Sequence, residues 1–106
     1  MSSFLIGPHA NLHIDEIYDY MVRTWGLDQA DRYVETLFEY FTEVAANTTR
    51  WRDVPAEFEI GGYFGKCERD FVYWKVLTPT RIGIVAILHE RMHQIEQIQG
   101  LFSEEF

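Results

Sequence analysis

The residues best suited to chemistry lie near the C-terminal end, in the run His89-Glu90-Arg91-Met92-His93. On a helix, two histidines one turn apart share a face and can hold zinc, while the glutamate between them acts as base on a metal-bound water. The surroundings point away from that chemistry. The run follows Ile84-Val85-Ala86-Ile87-Leu88, whose continuous apolar character predicts a strand, so His89 and His93 are not expected on one helical turn. Arg91 adds a positive charge where a cation is to be bound, and only a short tail remains to supply a third ligand, with Glu96 the main choice. No metal and no cofactor are therefore expected. His9 and His13 form a second pair with the same spacing, and two exposed histidines are the expectation there. Cys67 is the only cysteine, so the chain can form neither an internal disulfide nor a thiolate zinc cluster. A buried strand thiol is expected rather than a reactive one, although Lys66 and Arg69 are close in sequence.

Positioning such residues needs a core, and the chain has the means for one. Its 106 residues suit a single domain spanning 1–106, and the 47% hydrophobic and 16% aromatic content excludes a disordered chain. The aromatics exceed what a minimal core needs, which points to a surface built for a partner. Acids outnumber bases 17 to 9, giving a formal net charge of −8, so long-range steering toward nucleic acid is not expected. The only apolar run near the N-terminus is Phe4-Leu5-Ile6, too short for a signal peptide or a membrane span, so a cytoplasmic protein is expected.

The elements follow from periodicity. Phe4-Leu5-Ile6, closed by Gly7-Pro8, predicts a short strand. Ile14, Ile17, Tyr18, Met21 and Trp25 recur at helical spacing, and Gly26 stands where that helix should stop, with Asp28 as cap of the next. Ala30, Tyr33, Val34, Leu37, Phe38, Phe41, Val44 and Ala45 form the stripe of a second helix. The short link makes the two helices antiparallel neighbours. Residues 50–62 predict a loop, with a short extended piece at Phe58 to Ile60. Strands are predicted at Tyr63 to Cys67, Phe71 to Leu77 and Ile82 to Leu88, the last two joined through Thr78-Pro79-Thr80. The fold class is thus α+β: an N-terminal strand, a two-helix hairpin, then an antiparallel sheet of about three strands. The last two strands are apolar on both faces, and one hairpin hides only one face of a sheet. The second face needs a lid, supplied either by the tail (Ile95, Ile98, Leu101, Phe102) or by a partner protein. Trp25 and Trp74 are expected in the core, and Trp51, flanked by Arg50 and Arg52, is expected to be exposed as a partner anchor.

This order of elements resembles the RelE/ParE toxin superfamily, on the ParE side. The resemblance rests on Trp25-Gly26, Gln29-Ala30, Tyr33, Leu37, Phe41 and Ala45 in the hairpin. It rests also on the strand Phe71-Val72-Tyr73-Trp74-Lys75-Val76 and on Ile87-Leu88-His89-Glu90-Arg91-Met92, and it covers roughly residues 4–93. Lys75 stands where the family commonly has arginine. The resemblance implies a toxin of a type II toxin-antitoxin system that binds and inhibits DNA gyrase and is neutralised by a ParD-like antitoxin. It also implies a hetero-oligomer with no membrane contact, and contact with DNA only through the antitoxin. The alternative is ribosome-dependent mRNA cleavage as in RelE, where Lys, Arg or His side chains activate the 2′-hydroxyl and stabilise the phosphorane. The candidates for that chemistry are Lys66, Arg69, His89, Arg91 and His93, though the same residues serve equally as rim charges. For target contact the candidates are Lys75, His89 and Arg91. For antitoxin contact they are Trp51, Phe71, Tyr73 and Ile84. A binding protein is expected over an enzyme, because no Lys or Tyr follows Lys75 to serve as general acid.

Overall fold

The computed structural model describes residues 3–55, 61–90 and 101–102. Strand β1 (Ser3–Ile6) leads into helix α1 (Pro8–Trp25) and helix α2 (Leu27–Ala45), followed by β2 (Arg52–Asp53), β3 (Tyr63–Cys67), β4 (Asp70–Thr78) and β5 (Arg81–His89). The strands form one sheet in the order β1-β5-β4-β3-β2. The architecture is the α+β arrangement expected, with five strands instead of about three. The two extra pairings are local in neither pattern nor sequence. β1 lies parallel to β5, Ser3 opposite Arg81 and Ile6 opposite Ile84. β2 is only two residues long, too short to show a period.

Helix α1 begins at Pro8, earlier than the apolar spacing from Ile14 suggests. Proline at the first helical position has a preset φ and no N–H to lose, so it starts a helix without cost. Gly26 ends α1 and also opens α2, which displaces Asp28 from the expected capping role into the first turn. Its φ of 95° lies where a Cβ would be strained, and its N–H closes on the Val22 carbonyl. That single glycine turns the chain between the two helices.

One face of the sheet receives the helices. Ala10 and Ile14 of α1 with Leu37, Phe41 and Val44 of α2 pack on Val72, Trp74, Ile82, Ile84 and Ile87. Phe4 of β1 meets Phe41 edge-on, with ring centroids 5.6 Å apart. β5 serves both faces by alternation, and a bulge shifts its phase: Tyr73 pairs with Ala86 and Trp74 with Ile84, leaving Val85 as the extra residue. Ile82, Ile84 and Ile87 thereby face the helices, while Val85 and Leu88 join Val54 and Tyr73 in a second cluster on the far face.

β1 ends at Ile6, and beyond it the outer edge of β5 has no strand partner among the described residues. Helix α1 takes over there. The His13 ring is half-buried, and its Nδ1 accepts the backbone N–H of Ile87 at 3.2 Å. This corrects the expectation of an exposed histidine pair: His13 satisfies a donor on a buried strand, and the ring proton sits on Nε2 in that arrangement. Replacing His13 by alanine is expected to destabilise the fold by about 1–3 kcal/mol, the cost of leaving a buried N–H unmet. Denaturant unfolding of the two proteins measures it, and equal midpoints would show that the contact is idle.

Candidate functional site

The polar residues singled out by the sequence sit in two places, at opposite ends of the sheet. The first is the end where the β3–β4 turn lies beside the end of β5. Asp70 pairs in register with His89, and the N–H of Glu90 donates to the Arg69 carbonyl at 3.0 Å. Glu68 takes a φ of 56° in this tight turn. Asp70 is buried on the helix side, where the Tyr33 hydroxyl of α2 donates to its carboxylate. Burial raises the Asp70 carboxyl above the ordinary carboxylate value, opposed by the Tyr33 hydrogen bond and the nearby His89. Burial and the same bond push the Tyr33 hydroxyl far up. Cys67, buried in this corner, is pushed up to about 11 by desolvation first and by neighbouring acids second. It is a protonated core thiol at neutral pH.

Lys66 belongs to the other face of the sheet. Its ammonium lies 5.7 Å over the Phe71 ring and 2.7 Å from the Glu90 carboxylate. That ion pair holds the Glu90 carboxyl below its usual value. Lys66 and His89 therefore point to opposite sides, Arg69 lies exposed in the turn between them, and Arg91 and His93 fall outside the described residues. The His89–His93 metal geometry needs a helix, and His89 is instead the last residue of a strand with Glu90 turned away to Lys66. Among the described residues no three histidine, cysteine, aspartate or glutamate side chains are grouped to hold a metal.

The second place is the far face of the sheet near β2 and β3. Tyr73 is 3% exposed because Phe102 covers it, ring edge to ring face with centroids 6.3 Å apart. Phe64 stacks on Tyr73 from the other side, and Leu101 joins the cluster. Lys75 donates from Nζ to the Phe102 carbonyl at 3.3 Å. A Cβ at Gly62 would overlap the Phe102 ring, so the position admits only glycine while that ring is seated. An open groove of about 570 Å³ runs alongside, bordered by Asp53, Val54, Gly62, Tyr63 and Lys75. The second face is thus covered from within the chain, by the tail that the sequence offered as one of two lids; Ile95 and Ile98 of that tail lie outside the described residues, as does the extended piece at Phe58 to Ile60.

Several expected contact residues change standing. Ile84 is fully buried beneath the helices and is unavailable to a partner on the far face. Trp51 is no free anchor: its ring packs 4.9 Å from Tyr63 and 5.8 Å from Trp74, and its indole N–H donates to the Val44 carbonyl. Trp25, expected in the core, is 66% exposed, and the buried residues of α1, Ala10 and Ile14, lie in the first half of that helix; Trp74 is buried as expected. Phe71 and Tyr73 do line the far face. Lys75 and His89 cannot form one contact site: Lys75 is five positions along β4 from the partner of His89, roughly 17 Å at strand rise, and on the opposite face. The residues the sequence reading passed over are Tyr33, Asp70 and Gly62. Tyr33 was hidden in an apolar stripe, and nothing local marks Gly62 as facing a ring forty positions later.

A two-helix hairpin on one face of a five-stranded sheet makes this a small α+β domain. It matches the family model described as ParE toxin of type II toxin-antitoxin system, parDE, over residues 5–94. Toxin ParE1 of Mycobacterium tuberculosis is 31% identical over 91 residues, 86% of this chain and 92% of the relative. Toxin ParE of Escherichia coli is 28% identical over 92 residues, 87% of this chain and 88% of the relative. A chain from the chromosomal ParDE TA system of P. aeruginosa superposes with a TM-score of 0.66 at 23% identity, covering 84% of this chain and 96% of that one. The chain belongs to the ParE toxin family of type II toxin-antitoxin systems.

Two outcomes follow from the buried corner. Cys67 is expected to resist alkylation by iodoacetamide at neutral pH in the folded protein and to react once on denaturation, read by mass spectrometry; rapid labelling of the native chain would contradict its burial. For Asp70, the folded chain holds the proton to higher pH than the unfolded one. Its contribution to stability is therefore greatest below the ordinary value of 3.8 and is lost as pH rises through the raised folded value. Unfolding free energies measured from about pH 3.5 to about pH 7 should show Asp70→Asn gaining on the wild type as pH increases. A constant difference across that range would mean that Asp70 is not perturbed.

Proposed function

We propose that this ParE-family chain acts by binding DNA gyrase and inhibiting it, and that a ParD-like antitoxin neutralises it in a hetero-oligomeric complex. The observation that carries the reading against RNA cleavage is the separation of the three candidate catalytic groups among the described residues. Lys66 is committed to Glu90 on one face, His89 lies beside Asp70 on the other, and Arg69 is exposed in the turn. General acid–base cleavage needs its donor and acceptor within hydrogen-bonding reach of one scissile phosphate. The net charge of −8 also opposes docking on a ribosomal RNA surface. A protein target asks for no such constellation, only for a complementary surface.

The antitoxin partner is supported by the ParDE system in which the structural neighbour occurs. On this reading contact with DNA passes through the antitoxin, and the protein works in the cytoplasm, where gyrase is. His89, with Arg91 following it, remains the candidate for target contact at one end of the sheet, while Phe71, Tyr73 and Lys75 fall to the antitoxin side. No helix among the described residues is long and apolar enough to cross a membrane.

A supercoiling assay tests the proposal. The purified chain is expected to inhibit gyrase, with activity restored when the antitoxin is added. If expression arrests growth while gyrase is untouched at large molar excess and transcripts are cut at codon-linked sites, the chain is a ribosome-dependent endonuclease instead.

A further inference from the structure

The tip of the helix hairpin exposes apolar surface that the fold does not use. Trp25 and Leu27 flank Gly26 and are 66% and 58% exposed, and neither belongs to the two buried clusters. Beside Leu27 lies an open hollow of about 310 Å³, bordered also by Tyr18, Asp19, Val22 and Arg23. Tyr18, Val22 and Trp25 follow one another at steps of four and three residues, so they share one side of α1. The Tyr18 hydroxyl donates to the Asp31 carboxylate of α2 at 2.8 Å and ties the two helices together beside the hollow. A surface fixed in this way loses little freedom when a partner covers it.

Charge says which partner fits. Residues 8–45 hold eight acids, all exposed, against Arg23 and Arg32, so the hairpin carries −6 of the net −8. The rest of the chain is near balance, with nine acids and seven bases. The acids Asp19 and Asp28 stand beside Trp25 and Leu27 at the tip. A second copy of this face would meet like charge, and nucleic acid would be repelled, whereas a basic protein surface is complementary. An enzyme that grips DNA carries such surfaces, because its lysines and arginines must meet the phosphates.

The tip also lies at the end of the sheet where His89 is. Gly7 donates to the Ile84 carbonyl and His13 accepts from the Ile87 N–H, so α1 advances along β5 toward His89. Tyr33, six residues after Leu27 and so about 9 Å along α2, reaches Asp70, the register partner of His89. We propose that the hairpin tip, Trp25 and Leu27 with the hollow of Tyr18 and Val22, is the surface that docks on gyrase, and that it seats on a basic surface of that enzyme. The proposal rests on the gyrase reading above and names the face that performs it. The exposed indole is the anchor, and the surrounding aspartates steer the approach and fix its orientation.

The test measures binding of the full-length chain to purified gyrase by biolayer interferometry, with supercoiling inhibition alongside. Trp25→Ala should weaken binding on the order of thirtyfold, as for a central anchor. The double variant Asp15→Lys, Asp19→Lys should associate more slowly and lose salt sensitivity. These side chains are exposed, so both variants should keep the wild-type unfolding midpoint. Val76→Ala, at an equally bare apolar position on β4, should bind as the wild type does. Hairpin variants that bind and inhibit like the wild type would overturn the proposal and leave gyrase as the target. An equal loss in Val76→Ala would overturn it too, since the tip would then not be special. The wild type needs no variant to test the charge argument: an affinity indifferent to salt from about 50 to about 200 mM would overturn the basic partner. No binding of the wild type to gyrase would overturn both the docking face and the gyrase reading.

Discussion

Strand β5 is buried on both faces and needs a partner on both edges, and the remaining elements are disposed so as to meet those four demands. β4 supplies one edge throughout. β1 supplies the other as far as Ile84, and His13 takes over at Ile87 where β1 has ended. The helix hairpin covers one face, and Leu101 with Phe102 covers the other. At Val85 a bulge leaves one residue unpaired and shifts the alternation of this nine-residue strand, so Val85 and Ala86 both join the far-face cluster. Each apolar residue of β5 removed from water is worth about 1.5–3 kcal/mol. Losing any one cover would expose several of them at once, in a domain whose total stability is of the order of 5–15 kcal/mol.

The two face covers are unequal. The helices are joined to the sheet by long continuous packing, with Leu37, Phe41 and Val44 fully buried. The opposite face is closed, among the described residues, by one aromatic ring and its neighbour. Among the described residues one carboxylate is buried, that of Asp70, and the hydroxyl of Tyr33 on α2 meets it and so ties the hairpin to the end of the sheet.

The hairpin was legible because its information is local. A helical stripe from Ala30 to Ala45 and a glycine at 26 specify two helices and a reversal whatever else the chain does. The three long strands were legible for the same reason, as short apolar or alternating runs between turn residues. The need for two covers could also be read, since Phe71 to Trp74 and Ile84 to Leu88 are apolar at successive positions and successive residues of a strand face opposite ways. The expected site residues fared less well. Trp51, flanked by arginines, looks like a surface anchor but packs on Trp74, and Ile84 looks interchangeable with its neighbours until the bulge decides which way it points.

The sequence by itself determined the elements, their order, the apolar character of the last two strands and the family pattern carried by Trp25-Gly26, Tyr33 and the strand from Phe71. Periodicity and turn chemistry act over a few residues, so one chain suffices to read them. Only the tertiary structure decided what lies against what: β1 beside β5, His13 under Ile87, Tyr33 on Asp70, and Phe102 over Tyr73 and Gly62. Those contacts join residues far apart in the chain, and their register depends on a single extra residue at Val85. A shift of one position along a strand exchanges its two faces, and no local signal states which face a distant ring will find.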